Sequence, residues 1–377
     1  MKKFPEPIYV TRPLLPPLEK VTARLADVWS SQWMTNAGAQ HNALEAAVRR
    51  YLGVQELSLF NNGTIALLCA IGALELTGEV ITTPFTFPAT PHALSWSRVT
   101  PVFADIDPVR LTLDPARVEE RITPKTTGIL AVHVYGIPCD VEGLAAVASR
   151  HGLKLVYDAA HAFGVTVNGR GIGTFGDATM FSFHATKLFH TAEGGAIACA
   201  DPALRARIDR LKNFGIDGPE RVPVVGINGK MSELSAALGL AVLDCMDEEL
   251  GRRRTILDRY RRQLGSTPGI TVIKEPAGVV SSLQYCAIRI DAQTFGCSRD
   301  VVHDRLREFN IVTRKYFYPL CSEYPAYRNL PSASKANLPV ASKVVDEVLC
   351  LPLYGTLPLD VVDAICELVV AQQGARI

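Results

Sequence analysis

Through the first 200 residues of this 377-residue chain, short β-branched and apolar runs alternate with stretches of helical periodicity. "ELSLF" (56–60), "VITTPF" (80–85), "PVFADID" (101–107), "TGILAVHVYG" (127–136) and "LKLVYDAA" (153–160) read as strands, with helices such as 63–75 and 141–151 between them. Near-continuous apolar strands alternating with helices predict a largely parallel sheet covered on both faces, an α/β class. From about residue 176 the rhythm becomes strand, loop, strand, in "GDATMFSF" and "GGAIACA". The stretch 232–264, apolar at its start and charged later, then predicts one long amphipathic helix leading into a second unit.

The remainder predicts strands near 270–274, 283–290 and 310–317, with helices near 299–309 and 359–373. That pattern describes a smaller α+β unit, so the division expected is a large domain, 1–250, carrying an N-terminal arm ("RPLLPPLEK", 12–20), and a small C-terminal domain, 251–377.

Composition narrows the picture only a little. With 48% hydrophobic and 20% charged residues the chain is an ordinary globular protein. Its formal net charge of +1 supplies no long-range field for nucleic acid or an anionic membrane, so neither partner is expected. Nine scattered cysteines form no CxxC pair, which points to reduced thiols in a cytoplasm and no metal. Pro5, Glu6 and Pro7 interrupt any apolar signal core, and nowhere do 18 uncharged apolar residues run together, so neither secretion nor a membrane span is expected.

Gly171-Ile172-Gly173-Thr174-Phe175-Gly176 fits GxGxxG literally. It follows an Asn168-Gly169 hairpin signal and leads into a strand, whereas the dinucleotide fingerprint must open a helix, so the nicotinamide reading is rejected. Three other elements carry more. "ELSLF" runs into Asn61-Asn62-Gly63-Thr64 and a helix, whose free first-turn amides have the form of a phosphate cradle, although taken alone a simple N-cap turn is the better reading there. Asp158 ends an apolar strand, where open α/β sheets bind ligands. Lys187 sits on a short connection between buried strands, before Gly194-Gly195, where desolvation favours the neutral, nucleophilic amine. Phosphate cradle, strand-end acid and lysine together are what pyridoxal phosphate requires, and Phe87 is a candidate to stack on its ring.

With these residues in place, the chain resembles fold-type I pyridoxal-phosphate enzymes and, more narrowly, the DegT/StrS family of sugar-nucleotide aminotransferases. The likeness rests on "SLFNNGTIALLCAI", "VITTPFTFPAT", "PVFADIDP", "LAVHVYG", "VYDAAHAFG", "GDATMFSFHATK", "EGGAI", "NFGI", "GINGKMSELSAALGL" and "RKYFYPL", in family order. It implies a seven-stranded-type, mostly parallel sheet in the large domain. It also implies that Lys187 carries pyridoxal 5′-phosphate as a Schiff base, with pyridoxamine phosphate as the alternate form, and that Asp158 pairs with the ring nitrogen. His161 then lies beside the ring hydroxyl, Phe87 stacks on the ring, and Gly63, Thr64 and Ser182 bind the phosphate. Asn228 reaches the phosphate from a neighbouring subunit, which implies a homodimer with shared active sites.

The sugar dehydratase branch of that family has histidine where Lys187 stands, so amino transfer from L-glutamate is expected. "FSFHATK" with "EGG", "NFG" and "GINGKMSE" resembles members that aminate C4 of a nucleotide-linked 4-keto-6-deoxy sugar, with dTDP as the expected nucleotide and a polysaccharide such as O-antigen, or a glycoside, as destination. C3-specific members more often read "TKNLGA" followed by "GDGG". The alternatives are C3 amination, an aminocyclitol ketone, or an inactive binding homologue. Arg12, His184, His190, Lys230, Arg314 and Lys315 are candidate substrate contacts, and Lys230 departs from the arginine of many relatives.

Overall fold

The computed structural model describes residues 2–374. Seven strands build the large sheet: β1 (Glu56–Phe60), β2 (Glu79–Thr82), β3 (Thr100–Phe103), β4 (Thr126–Val132), β5 (Lys154–Asp158), β6 (Ala178–Ser182) and β7 (Gly195–Cys199). Their spatial order is β1-β7-β6-β5-β4-β2-β3, with β7 antiparallel to both neighbours and the pairs from β6 through β3 parallel. The strands are buried along nearly their whole length, because helices cover both faces and leave no solvated side to alternate toward.

The sequence signals for helix ends work as local chemistry. Asn62 caps helix Gly63–Ala73 by accepting from the Ile65 amide at 2.8 Å, and Asp140 caps helix Val141–His151 by accepting from Gly143 at 3.1 Å. The GxGxxG stretch begins at the end of a hairpin and continues through a 3-10 turn, Ile172–Thr174. Thr166–Val167 pairs with Arg170–Gly171, and Asn168 and Gly169 take φ of 49° and 77°, the turn that an Asn-Gly pair favours.

Three expectations shift. The helix expected over 232–264 is two helices, Glu233–Leu243 and Met246–Leu264, broken at Asp244-Cys245. The first packs apolar residues such as Ala236 and Val242 into the large core. The second sends Ile256, Leu257, Tyr260 and Leu264 into a separate core, so the change of buried face is met by a turn at Cys245. The strand expected over 283–290 begins only at Cys286, and that over 310–317 is confined to Ile311–Val312. Among the residues left out of the sheet, Tyr285, Tyr316 and Phe317 line the site described below.

The second core sits on a three-stranded antiparallel sheet of Ile270–Val272, Cys286–Ile290 and Val348–Leu351. The last of these strands, and helix Pro339–Glu347 before it, were not read from the sequence. The N-terminal arm crosses to this unit: Ile8–Tyr9 pairs in parallel with Ile311–Val312, and Phe4 and Ile8 pack on the second core. All nine cysteines are free, eight of them buried and Cys245 half-buried. No helix among the described residues is long and apolar enough to cross a membrane.

Candidate active site

One cavity of about 270 Å³ opens at the carboxyl ends of the parallel strands. Five strand ends contribute to it: Asn62, Gly63 and Thr64 follow β1, Thr86 and Phe87 follow β2, Val132 ends β4, Asp158 ends β5 and Ser182 ends β6. Gly63, Thr64, Phe87, Asp158, His161, Ser182, His184 and Lys187, singled out from the sequence, all line it. Residues more than 120 positions apart thus meet because the sheet registers their strand ends.

The cradle is tight. A Cβ on Gly63 would lie 3.0 Å from Met180 Sδ and 3.2 Å from Ser182 Cβ, and one on Gly195 would lie 2.8 Å from the Gly63 nitrogen. Both glycines let β6 and β7 pass against the helix start. With Asn62 Oδ1 on the Ile65 amide, the Gly63 and Thr64 amides have no acceptor within their own helix, the arrangement that binds anions.

Asp158 is buried (4% exposed), and its Oδ1 accepts from the Ala160 amide at 3.0 Å while Oδ2 accepts from Thr90 Oγ1 at 2.8 Å. Thr90 in turn is 3.0 Å from the Thr86 hydroxyl. Burial raises its pKa above the usual carboxylate value, opposed by those two donors and by the charge of Lys187. Lys187 is half-buried by exposed area, but the surface left to it is cavity wall. Burial pushes its pKa down to about 8, with the Asp158 charge pulling the other way. Among the described residues no protein group accepts a hydrogen bond from its amine. His161 is buried, its ring stacked on Phe317 at 5.6 Å, its Nδ1 without a protein partner. Burial, then Lys187, hold it well below the usual histidine range, hence neutral.

His184 stands at the cavity mouth, its Nδ1 2.8 Å from Thr186 Oγ1 and its Nε2 3.6 Å from Glu193. The other candidates lie off the wall. His190 is buried and spends both nitrogens internally, donating from Nε2 to the Leu14 carbonyl at 2.8 Å and accepting the Ala192 amide on Nδ1. It fastens the N-terminal arm to the lysine connection. Arg12 is exposed over the Tyr354 ring, Arg314 is exposed, and Lys315 is paired with Asp300 at 2.5 Å. Asn228 is exposed and accepts from Lys230 at 2.7 Å, on a loop tied to Asn61 beside the cradle.

Sequence reasoning missed Thr86, Thr90, Thr186, Glu193, Tyr285, Tyr316 and Phe317. "RKYFYPL" did carry a signal: Tyr316 and Phe317 reach the wall, whereas its two cations do not. Thr90 had a weaker signal, a hydroxyl at the start of a helix after a strand end.

Residues 18–370 match the model of the DegT/DnrJ/EryC1/StrS aminotransferase family. The chain is 46% identical, over 97% of its length and 98% of the relative's, to a dTDP-4-amino-4,6-dideoxy-D-glucose transaminase of Escherichia coli. The crystal structure of DesI in the presence of its TDP-sugar product superposes with a TM-score of 0.95 at 40% identity, covering 99% of this chain and 95% of that one. DesV of S. venezuelae, in complex with a ketimine intermediate, has a TM-score of 0.87 at 29% identity, covering 97% and 100%. A lysine, a strand-end carboxylate and a helix-start anion cradle in one cavity, on a chain matched over residues 18–370, give a single classification: the chain belongs to the DegT/DnrJ/EryC1/StrS aminotransferase family and is a transaminase.

Proposed function

We propose that this transaminase uses pyridoxal 5′-phosphate to move the amino group of L-glutamate to C4 of a dTDP-linked 4-keto-6-deoxy-hexose, giving a 4-amino-4,6-dideoxy sugar. The observation that carries the reading is the neutral-prone Lys187 amine, free of protein acceptors, in the same cavity as buried Asp158 and the Gly63-Thr64 cradle. The sugar and nucleotide follow from the E. coli relative and from DesI.

The cavity fits the cofactor group by group. The Gly63 and Thr64 amides and the Ser182 hydroxyl suit a phosphate, and no side chain larger than glycine's hydrogen fits at 63 without displacing Met180 or Ser182. Asp158 suits a protonated ring nitrogen, which would compensate a carboxylate that burial otherwise leaves costly. The unpartnered Nδ1 of neutral His161 suits the ring hydroxyl, and Phe87, 56% exposed, offers an apolar face. When bound, pyridoxal phosphate supplies an electron sink for the carbanion left by loss of the donor's α-proton. Lys187 would hold the cofactor covalently, and its freed amine would take that proton and return it as general acid. Thr90 keeps the Asp158 carboxylate oriented through its 2.8 Å bond.

The same reading places the chain in a homodimer, with Asn228 turned to the neighbouring subunit's phosphate, in a cytoplasmic setting. It also keeps 1–250 and 251–377 as the two domains. The test is an incubation of purified protein with pyridoxal phosphate, L-glutamate and dTDP-4-keto-6-deoxyglucose, followed by mass analysis of the nucleotide sugar. Conversion to the amino sugar with one 2-oxoglutarate per amine is expected. Amination only of a 3-keto sugar, or of neither, overturns the substrate assignment.

A further inference from the structure

Lys187 is not held by its own domain alone. We infer that Gln284, in the segment 281–285 of the second unit, is a positioning residue for Lys187: its side-chain amide clamps the peptide on either side of that lysine. Its Oε1 accepts from the Leu188 amide at 2.7 Å and its Nε2 donates to the Thr186 carbonyl at 3.1 Å. Gln284 is 1% exposed, so both bonds form away from water, where a lost partner leaves a backbone group unsatisfied.

The neighbours of Gln284 do related work. Ser282 donates to the carbonyl of His161 at 2.7 Å, and Tyr285 sets its ring edge-on to His161 at 5.2 Å while lining the cavity. Leu283, between them, is buried at φ 51°, a left-handed backbone that a leucine adopts only when its surroundings fix it. Arg253 donates to the Leu283 carbonyl at 3.3 Å and is itself held by Glu249 at 2.5 Å, both buried. Glu249 also accepts the Gly355 amide at 2.9 Å. The strained segment therefore ties the second unit's framework to two groups of the cavity at once, His161 and the lysine connection. Among the described residues, Gln284 is the side chain of the second unit that hydrogen-bonds the backbone on both sides of Lys187.

This inference rests on the proposal that Lys187 bonds pyridoxal phosphate, and its test separates the two. Cofactor-free full-length protein is mixed with pyridoxal 5′-phosphate, quenched with borohydride at intervals, and the modified lysine is mapped by peptide mass. Wild type must show a reduced adduct on Lys187; none there overturns the reading of Lys187 itself. Gln284→Met removes both bonds, and a rate of adduct formation at least about tenfold slower is expected, with kcat falling and the KM for the keto sugar little changed. Adduct formation and kcat at wild-type values overturn the positioning role.

Gln284→Glu decides the matter should Gln284→Met fail to fold. A protonated carboxyl keeps an acceptor for Leu188 and a donor for Thr186, whereas the carboxylate loses the donor. Its rate relative to wild type at each pH, a ratio in which the titrations of Lys187, Asp158 and His161 common to both proteins cancel, is expected to be near unity in acid and to fall at least about tenfold as pH rises. A ratio independent of pH overturns the clamp.

Discussion

Lys187 and Lys212 are two lysines drawn out of water beside a carboxylate, and the fold treats them oppositely. Lys212, 7% exposed, places its amine 2.7 Å from Ser58 Oγ, 3.2 Å from the Leu59 carbonyl and 2.8 Å from Asp209. Every proton of that ammonium has a partner. Burial lowers its pKa, and Asp209 restores part of the preference for charge. Lys187 faces Asp158 across a cavity with no acceptor taken up, and its pKa is pushed down to about 8. Burial alone does not make a lysine reactive; burial with its protons unclaimed does.

The largest way to break this contrast is to remove each amine in turn. Lys187→Ala is expected to lose at least about 10³-fold in kcat, since the covalent anchor and the proton carrier vanish together. Its urea midpoint should stay at or above wild type, because a desolvated charge has been removed. A Lys187→Ala protein with turnover within about tenfold of wild type would sink the assignment. Lys212→Met should do the reverse. Losing the amine leaves the Ser58 hydroxyl and the Leu59 carbonyl without it and costs about 1 to 3 kcal/mol of stability, while half-exposed Asp209 keeps Arg205 at 3.2 Å. The folded fraction should retain wild-type kcat, and a specific loss of turnover there would mean that Lys212 also acts in the chemistry.

The pH dependence sharpens the same point. The folded-state pKa of Lys187 is about 8, below the value of about 10.4 for an unfolded lysine. Between those values the unfolded chain binds the extra proton, so the lysine's contribution to stability rises with pH; below about 8 its full penalty stands. Measured on cofactor-free protein, the stability advantage of Lys187→Met over wild type should shrink, by about 2 kcal/mol, as the pH is raised from about 7 to about 10. An advantage constant over that range would show that Lys187 titrates like a solvent-exposed lysine.

How much of this was legible in the sequence follows from what each feature depends on. β1, β5, helix Val141–His151 and the Asn168-Gly169 turn depend on local periodicity and caps, and were read directly. Gly63, Asp158, Ser182 and Lys187 were legible as candidates because they stand at strand ends, and the topology then gathers strand ends into one cavity. The break at Cys245 was hidden, since both flanking stretches have helical periodicity and only the switch between two cores forces the turn. His190 read as a site residue from its nearness to Lys187, yet its direction is set by Leu14, 176 positions away. Gln284 left no signal at all: an uncharged polar residue before a strand says nothing until the lysine connection, 96 positions earlier, is folded against it.

The smallest expected effect tests the cradle rather than the lysines. Gly63→Ala sets a methyl 3.0 Å from Met180 Sδ and 3.2 Å from Ser182 Cβ, close enough that one of them must shift by a few tenths of an ångström. Met180 is buried and belongs to the core behind the helix, so Ser182, half-buried at the cavity edge, is the group that yields. Alanine is also the better helix former at this first helical position, which offsets part of the crowding, so stability should change by less than about 1 kcal/mol. The cost falls on the anion site. Displacing the Ser182 hydroxyl and narrowing the approach to the Gly63 and Thr64 amides should weaken binding of pyridoxal phosphate about tenfold, and that of phosphate-free pyridoxal hardly at all. Titration of cofactor-free Gly63→Ala with both aldehydes reads the difference. Equal losses for the two would move the defect to the ring side of the cavity and leave Lys187 and Asp158, not the cradle, as the groups that select the cofactor.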